Sequence, residues 1–310
     1  MSSEIVDGVW PTMITPFSDT NQVDQGALRR LVDWYIGRGV DGLFAVCQSS
    51  EMFVLSLSER VELARSVVKY ASGRVPVIAS GHISETISDQ ADEVRMIADT
   101  GVDAIVLVSN RFAGQEESDD VWKRNLERFL ALIPEETVLG FYECPFPYKR
   151  LFSPELLSWT AGLGRFRFLK DTCCDLPQLK NKIAAVAGTG LKVFNANTAT
   201  LLGSLQAGAA GFSGVMANFH PELYVKLCRS WKAEPAMAAD LQDFLGTASL
   251  IERVAYPMCA KYHQQLEGTQ MTLHTRRMPG NALDGASRLL VEQLRRLAGE
   301  RAAALGITAD

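Results

Sequence analysis

The chain has 310 residues, 47% of them hydrophobic, and a formal net charge of −5. That composition supplies one large core and is not that of a disordered chain, and the mildly acidic balance makes nucleic acid and anionic membrane poor partners. No apolar run approaches roughly 18 residues, so no membrane span is expected, and Met1-Ser2-Ser3-Glu4 lacks the basic-then-apolar start of a signal peptide.

In chain order, short apolar runs alternate with amphipathic stretches. Gly8–Thr15 reads as a first strand. Leu28, Leu31, Val32, Tyr35 and Ile36 then line one helix face between Asp24, a suitable N-cap, and Gly39, a suitable C-cap. Gly42–Val46 is a second strand. Ser56-Leu57-Ser58-Glu59 has capping-box spacing and opens a helix through Ala71. Val75–Ser80 is a third strand and Ser84–Thr100 a helix; Asp103–Ser109 is a fourth strand, with a helix near Asp119–Ile133. Val138–Tyr142 is the fifth strand, and Pro154 suits the first turn of the next helix. Arg165–Lys170 is the sixth strand, with Phe166 and Phe168 expected on one face, and Leu176–Ala187 is helical. Leu191–Phe194, helical Thr198–Ala207 and a last strand at Ala210–Val215 complete the series. From His220 onward only helical periodicity remains.

Eight strand–helix units about 25–35 residues apart predict a (β/α)8 TIM barrel with a C-terminal helical extension. The division expected is residues 1–224 for the barrel and 225–310 for the helical region. The strands are near-continuous apolar runs, as parallel strands covered on both faces require. The first strand–helix turn has no G-x-G-x-x-G, so a dinucleotide site is unsupported. The six cysteines form no C-x-x-C, and the four histidines are isolated. Reduced thiols, a cytoplasmic setting and no metal site are expected.

Active sites of such barrels lie at the C-terminal ends of the strands. Among the tips are Thr15-Pro16-Phe17, Cys47-Gln48-Ser49-Ser50-Glu51, Ser80-Gly81-His82, Ser109-Asn110-Arg111, Tyr142-Glu143-Cys144-Pro145, Lys170-Asp171 and Ser213-Gly214. A lysine at a buried strand tip is unusual, because an ammonium resists desolvation; in low-dielectric surroundings it loses its proton more easily and becomes a nucleophile. Such an amine can form an imine with a 2-oxo acid, and a phenol on the neighbouring strand, Tyr142, can move the protons that carbinolamine formation and collapse require. Gln48, Ser49 and Ser50 offer neutral donors for a carboxylate, and Arg111 is the nearest cation for a further substrate carboxylate or phosphate. A structural reading stands beside each: a strand-end ion pair for Lys170, a core-edge aromatic for Tyr142, turn chemistry for the serines and a solvated loop arginine for Arg111. His82 serves as a substrate-facing or a loop-capping residue, Gly208–Gly214 as a phosphate loop or a packing requirement, and Cys173 and Cys174 read as buried, inert thiols.

Taken together, these segments resemble the dihydrodipicolinate synthase / N-acetylneuraminate lyase family of pyruvate-type class I aldolases. Cys47–Glu51 stands where that family has G-[TS]-T-G-E, Tyr142–Pro145 where it has Y-N-x-P, and Leu169-Lys170-Asp171 where it has [IL]-K-[DE]. The resemblance implies Lys170 as the Schiff-base lysine, Tyr142 as the general acid/base, and Ser49 and Ser50 as holders of the 2-oxo acid carboxylate. It places Ser213 at the pyruvate pocket, reads Glu51 as an anchor for its turn, and requires no cofactor beyond the covalent lysine imine. It also implies a homotetramer, a dimer of dimers, with an aldehyde as second partner. Three departures mark the chain. Gln48 replaces a hydroxyl residue, so either the proton relay is altered or Ser49 carries it. Asn110 stands where synthases have an aromatic hydroxyl, and Pro147 where they have an arginine for the second substrate. An aldolase with a different aldehyde is therefore expected, with the synthase reaction, a 2-oxo sugar acid dehydratase and a weakly catalytic 2-oxo acid-binding barrel as alternatives.

Overall fold

The computed structural model describes residues 4–307. Their apolar runs form eight parallel strands: β1 Gly8–Val9, β2 Leu43–Phe44, β3 Val77–Ala79, β4 Ala104–Val108, β5 Leu139–Tyr142, β6 Phe166–Asp171, β7 Lys192–Asn195 and β8 Gly211–Phe212. They pair in the order β1-β8-β7-β6-β5-β4-β3-β2. Between β1 and β2 the ring closes through a bridge from Thr12 to Phe44. There the Phe44 N–H donates to Pro11 O at 3.0 Å and the Met13 N–H to Phe44 O at 3.1 Å. The fold is the expected (β/α)8 barrel.

Several strands are shorter than their apolar runs. Pro11 has no N–H, so the ladder of β1 breaks there and resumes only at the Thr12 bridge. After β8 the chain does not stay extended to Val215; Val215–Asn218 is a 3-10 turn. Two glycines let this corner close. A Cβ on Gly42 would lie 2.3 Å from the Trp10 ring, and one on Gly211 would lie 1.8 Å from Gly8 O. A Cβ on Gly214 would likewise lie 2.3 Å from the Phe212 ring, so Gly211 and Gly214 are packing glycines, which accounts for the glycine-rich stretch there without a phosphate.

The barrel helices are α1 Gln25–Gly37, α2 Leu57–Ala71, α3 Ile87–Ala98, α4 Asp119–Leu130, α5 Pro154–Gly162, α6 Leu176–Ala185 and α7 Leu201–Gln206. Asp24 caps α1 by accepting the Ala27 N–H, and Gly39 just past its end has φ +78°. The capping box at Ser56 and Glu59 has both of its reciprocal bonds. The extension consists of α8 Pro221–Ser230, α9 Pro235–Ala248, α10 Met258–Leu266 and α11 Gly285–Ala304. Residue 224 lies inside α8. Among the described residues no helix is long and apolar enough to cross a membrane.

Strand β6 departs from simple alternation. Its pairing with β5 shifts register, Leu139 opposing Phe166 and Gly140 opposing Phe168, so one residue is unpaired between them. Phe166 and Phe168 therefore lie on opposite faces, not one. Phe166 stacks on Phe141 at 4.3 Å, in the cluster with Trp122 and Phe152 on the helix side. Phe168 stacks on Phe194 at 4.5 Å and meets Trp10 at 5.7 Å and Phe44 at 6.0 Å inside the barrel. Two residues beyond Phe168, alternation brings Lys170 to the same interior face. The aromatic plug forms an apolar floor beneath it.

Candidate active site

Lys170 and Tyr142 are register partners on β6 and β5. The Lys170 Nζ lies 4.3 Å from the centroid of the Tyr142 ring, and the residues are only 4% and 3% exposed. Burial pulls the Lys170 pKa below its usual 10.5, against the thiols of Cys47 and Cys144 and the carboxyl of Glu252, which favour the ammonium. Burial likewise raises the Tyr142 phenol well above 10.0, with Cys144 and Cys47 adding to the effect. The site thus holds an amine biased toward its neutral form beside a phenol that keeps its proton.

The strand tips beneath this pair are pinned by a buried ion cluster. Glu143 and Asp171, next along β5 and β6, both receive Lys182 of α6, at 2.5 Å and 2.6 Å, and all three side chains are fully buried. Glu143 also accepts the Phe152 N–H at 2.8 Å and the Thr172 N–H at 3.0 Å. Burial, then repulsion from Asp171, raises the Glu143 carboxyl to about 7 in spite of Lys182. The two carboxylates outweigh desolvation at Lys182 and raise its pKa. Lys182 belongs to the inward face of α6 with Leu179 and Ile183; that i, i+3, i+4 spacing was the available signal for a lysine at a buried position.

The turn after β2 is tied inward on itself. The Ser50 Oγ accepts the Cys47 N–H and donates to Cys47 O, both at 2.7 Å, and the Thr15 Oγ1 donates to Ser50 O at 2.8 Å. The Ser50 N–H donates to Cys47 O at 3.2 Å, and burial raises the Cys47 thiol against the nearby Lys170 amine and the backbone of Ser50 and Ser49. Ser49 lies 3.2 Å from the Thr12 hydroxyl, and beside Tyr256 it moderates the upward shift that burial imposes on that phenol. Tyr256 in turn accepts from Asn218 Nδ2, whose Oδ1 accepts from Tyr35. Gln48 stands apart: its Oε1 accepts the Tyr142 hydroxyl at 3.2 Å. Glu51, at φ +65°, accepts from Lys261 at 3.0 Å, from Thr275 at 2.8 Å and from the Arg276 N–H at 2.7 Å. It holds the turn to the segment after α10.

The loops after β4 and β5 lock each other. The Asn110 Nδ2 donates to the carbonyls of Cys144, Phe146 and Tyr148, at 3.1, 3.0 and 2.6 Å. Phe146-Pro147 is a cis peptide. The polar residues that follow are engaged elsewhere: the Tyr148 hydroxyl donates to Asn110 O and Ala113 O, Lys149 to Thr172 O, and Arg150 to Gly114 O, Glu117 O and Asp119. Arg111 lies 5.7 Å over the Phe53 ring, which meets Phe146 at 4.7 Å, and its buried Nε has no partner among the described residues. The Ser213 N–H donates to Asn195 O at 2.8 Å, and its buried hydroxyl is likewise unpartnered.

His82 is fully buried, accepts the Val108 N–H at Nδ1, sits 3.0 Å from Gln90 and stacks on Phe112; burial lowers its pKa to about 3. It is a neutral, structural histidine. Cys174 is exposed and Cys173 half-buried, not both buried as expected, because the chain turns outward at Cys174 with φ +58°. Burial beside Asp171 still pushes the Cys173 thiol up to about 12. Residues the motif reading passed over are Thr12, Tyr256 and Glu252. The last two come from the C-terminal extension, where no strand-tip rule points. Among the described residues, no group of three or more His, Cys, Asp and Glu side chains is arranged to hold a metal ion.

The dihydrodipicolinate synthetase family profile matches residues 5–294. The chain belongs to that family. It is 27% identical to the 4-hydroxy-tetrahydrodipicolinate synthase of Saccharophagus degradans over 94% of this chain and 98% of that one. It is 28% identical to a probable 2-dehydro-3-deoxy-D-pentonate aldolase of Escherichia coli K12, over 84% and 87%. Among solved structures, an E. coli K12 prophage protein of the same family, in complex with pyruvate, superposes with a TM-score of 0.84 at 23% identity, covering 96% of this chain and 99% of the other. Dihydrodipicolinate synthase DapA-2 of Bacillus anthracis gives 0.85 at 20% identity, covering 95% and 99%. The chain is accordingly a lyase of the synthase and aldolase type.

Proposed function

We propose that this lyase works through an imine between Lys170 and pyruvate or a related 2-oxo acid. The observation that carries the reading is the buried Lys170 amine, paired in register with Tyr142 and 4.3 Å from its ring. The free amine adds to the C2 carbonyl. The oxyanion takes a proton, the carbinolamine loses water, and the protonated imine then draws electrons from C3. Loss of a C3 proton gives the enamine that attacks an aldehyde; run backward, the same imine accepts the electrons of a breaking C–C bond. Tyr142 supplies and recovers the proton at the carbinolamine oxygen. Ser49 and Ser50 hold the substrate carboxylate, with Ser213 beside it.

Gln48 changes how that proton travels. An amide oxygen accepts the Tyr142 hydroxyl but has no proton to pass on, so the chain from Tyr142 ends there. Ser49 and Thr12 form a separate hydroxyl pair 3.2 Å apart, with Tyr256 beside Ser49. Tyr142 therefore shuttles one proton locally between successive steps. The synthase reaction proper fits less well than an aldolase reaction. Pro147 replaces the arginine expected for a second carboxylate, and Tyr148, Lys149 and Arg150 are all engaged with other protein groups. Arg111, beside Phe53 and Phe146, is the cation placed to receive an anionic group on the aldehyde. A cytoplasmic homotetramer is proposed on the family resemblance alone.

Incubation with pyruvate and borohydride, followed by peptide mass mapping, tests the imine. A reduced adduct on Lys170 is expected; no adduct there, while a control aldolase is labelled in parallel, overturns the reading. Product masses from pyruvate with a set of aldehydes then separate aldolase from dehydratase.

A further inference from the structure

On the outer wall of the barrel, a cavity of about 670 Å³ opens between the end of α1, α8, α10 and α11, and shares no residue with the Lys170 site. Three of its lining residues are buried polar groups without full partners. His220 is 1% exposed and neither ring nitrogen has a hydrogen-bond partner; His263 is 2% exposed with Nδ1 unpartnered; Glu222 is 8% exposed with Oε2 unpartnered. Buried polar atoms are ordinarily satisfied, and leaving each one unmet costs roughly 1–3 kcal/mol. Such atoms gathered on one cavity are the signature of a missing ligand.

The chemistry of the lining narrows the ligand. Burial keeps both imidazoles neutral, lowering His220 to about 3 and His263 to about 4. A neutral imidazole offers one N–H donor and one acceptor nitrogen, so His220 calls for an acceptor at one ring nitrogen and a donor at the other, and His263 for one partner at Nδ1; neighbouring hydroxyls, each able to donate or accept, supply all three. The free Glu222 oxygen calls for a donor. Arg38 already holds the other oxygen at 3.1 Å. The rim is cationic: it carries Arg38, Lys226, Arg229, Arg295 and Arg296 beside Glu222 and Glu267, with Lys226 paired to Glu234, Arg229 to Asp41, and Arg38 and Arg295 to Glu267. Of these, Arg296 has no ion-pair partner among the described residues. A metal is not the occupant, since these donors do not converge as a ligand set and guanidinium groups surround them. Ala298, Gly299 and Ala302 of α11 leave the width of the cavity open.

We propose that this cavity binds a small polyhydroxylated organic anion, with hydroxyls on His220, His263 and Glu222 and a carboxylate or phosphate on the arginine rim. Isothermal titration into the full chain carrying Lys170→Ala, which removes imine formation at the barrel mouth, tests it. The probes are D-gluconate and D-glucose 6-phosphate, with acetate and inorganic phosphate as controls that carry the charge without the hydroxyls. Saturable binding of gluconate or glucose 6-phosphate is expected, at least about tenfold tighter than its control. His220→Phe should weaken it about tenfold or more, and Arg296→Ala by about three- to fivefold. The better of the two probes names the anionic group. Absence of binding by both probes, or binding unchanged by His220→Phe and Arg296→Ala alike, overturns the proposal. A melting temperature provides the second readout. An orphaned imidazole kept for a ligand is dispensable to the empty fold, so His220→Phe should melt at or above the parent temperature; a clear loss of stability would make His220 a structural residue and also defeat the assignment.

Discussion

The tips of β5 and β6 and the turn after β2 face the same barrel mouth but are held in different ways. Lys170 and Tyr142 are fixed by ladder pairing, by the aromatic plug under them, and by Lys182 clamping Glu143 to Asp171. Gln48, Ser49 and Ser50 belong to an irregular turn whose anchors are side chains from elsewhere, chiefly Thr15, Lys261 and Thr275. Changing a residue in the first region disturbs strand register, a buried charge or both. A residue of the second can be exchanged while the scaffold stands. The imine-forming half of the chemistry therefore sits on rigid elements, and the half that manages protons and the second substrate sits on replaceable ones.

The comparison breaks most sharply at Lys170. Lys170→Ala should lower kcat by about 10⁴-fold or more and abolish borohydride trapping. Lys170→Arg should do no better, because a guanidinium stays protonated. In the parent, imine formation should persist to a pH well below that of an ordinary lysine, since burial lowers this amine's pKa. Next in size is Tyr142→Phe, expected to reduce kcat by about 10²–10³-fold while pyruvate trapping at Lys170 still proceeds, only slowly. Trapping kinetics by mass spectrometry check both.

Lys182→Met tests whether the buried clamp is what makes the first region rigid. Two carboxylates would be left buried against each other, at a cost of about 3–5 kcal/mol in urea denaturation. Glu143 sets the pH dependence. Its folded-state pKa is about 7, raised from 4.5, so its contribution to stability is complete below about 4.5 and is lost as pH rises through 7. Without Lys182, which favours the ionised carboxyl, that loss should continue to higher pH. In the second region, Gln48→Thr should change kcat by only about three- to tenfold, by giving the Tyr142 proton a hydroxyl to pass to. A solvent isotope effect that differs between Gln48→Thr and the parent would place the change in proton transfer; an identical one would mean that Gln48 takes no part in the relay.

Alternating patterns carried the eight units and the strand tips, and so brought Lys170 and Tyr142 to equivalent positions before any coordinates. The register shift in β6 was not readable, because a bulge depends on which residue of β5 lies opposite, and Gly140 leaves room for Phe168 only in three dimensions. Strands β1, β2 and β8 were overextended because apolar character continues past the last ladder bond. Glu252 and Tyr256 approach the site from the segment between α9 and α10, whose path periodicity does not specify. The carbonyl-stapling role of Asn110 depends on the path of the β5 loop. Its chemistry was visible as an amide at a strand tip, but its partners were not.

The smallest effect lies at the outer edge of the turn region. Glu59 of α2 bonds Arg276 through both oxygens, at 2.7 and 2.9 Å, and Arg276 also donates to Asn21 and Val54 O. That pairing, chiefly the hydrogen bond to Arg276, holds the Glu59 carboxyl at about 2 instead of 4.5. Here the sign is opposite to that of Glu143. A depressed folded-state pKa gives stability that is present above about 4.5 and is lost as pH falls toward 2. The pair is partly solvated, so Glu59→Gln should cost only about 0.5–1 kcal/mol near neutral pH and nothing at the acid end. Urea midpoints of Glu59→Gln and the parent should therefore converge as pH falls below 4.5, the value from which this carboxyl is shifted. Those of Lys182→Met and the parent should draw apart as pH rises through 7, where Glu143 ionises in the parent. Both gaps widen with rising pH but in separate windows, that of Glu59→Gln between about 2 and 4.5 and that of Lys182→Met around and above 7; gaps that open over one shared window would mean that the two regions do not carry the separate electrostatic supports described above.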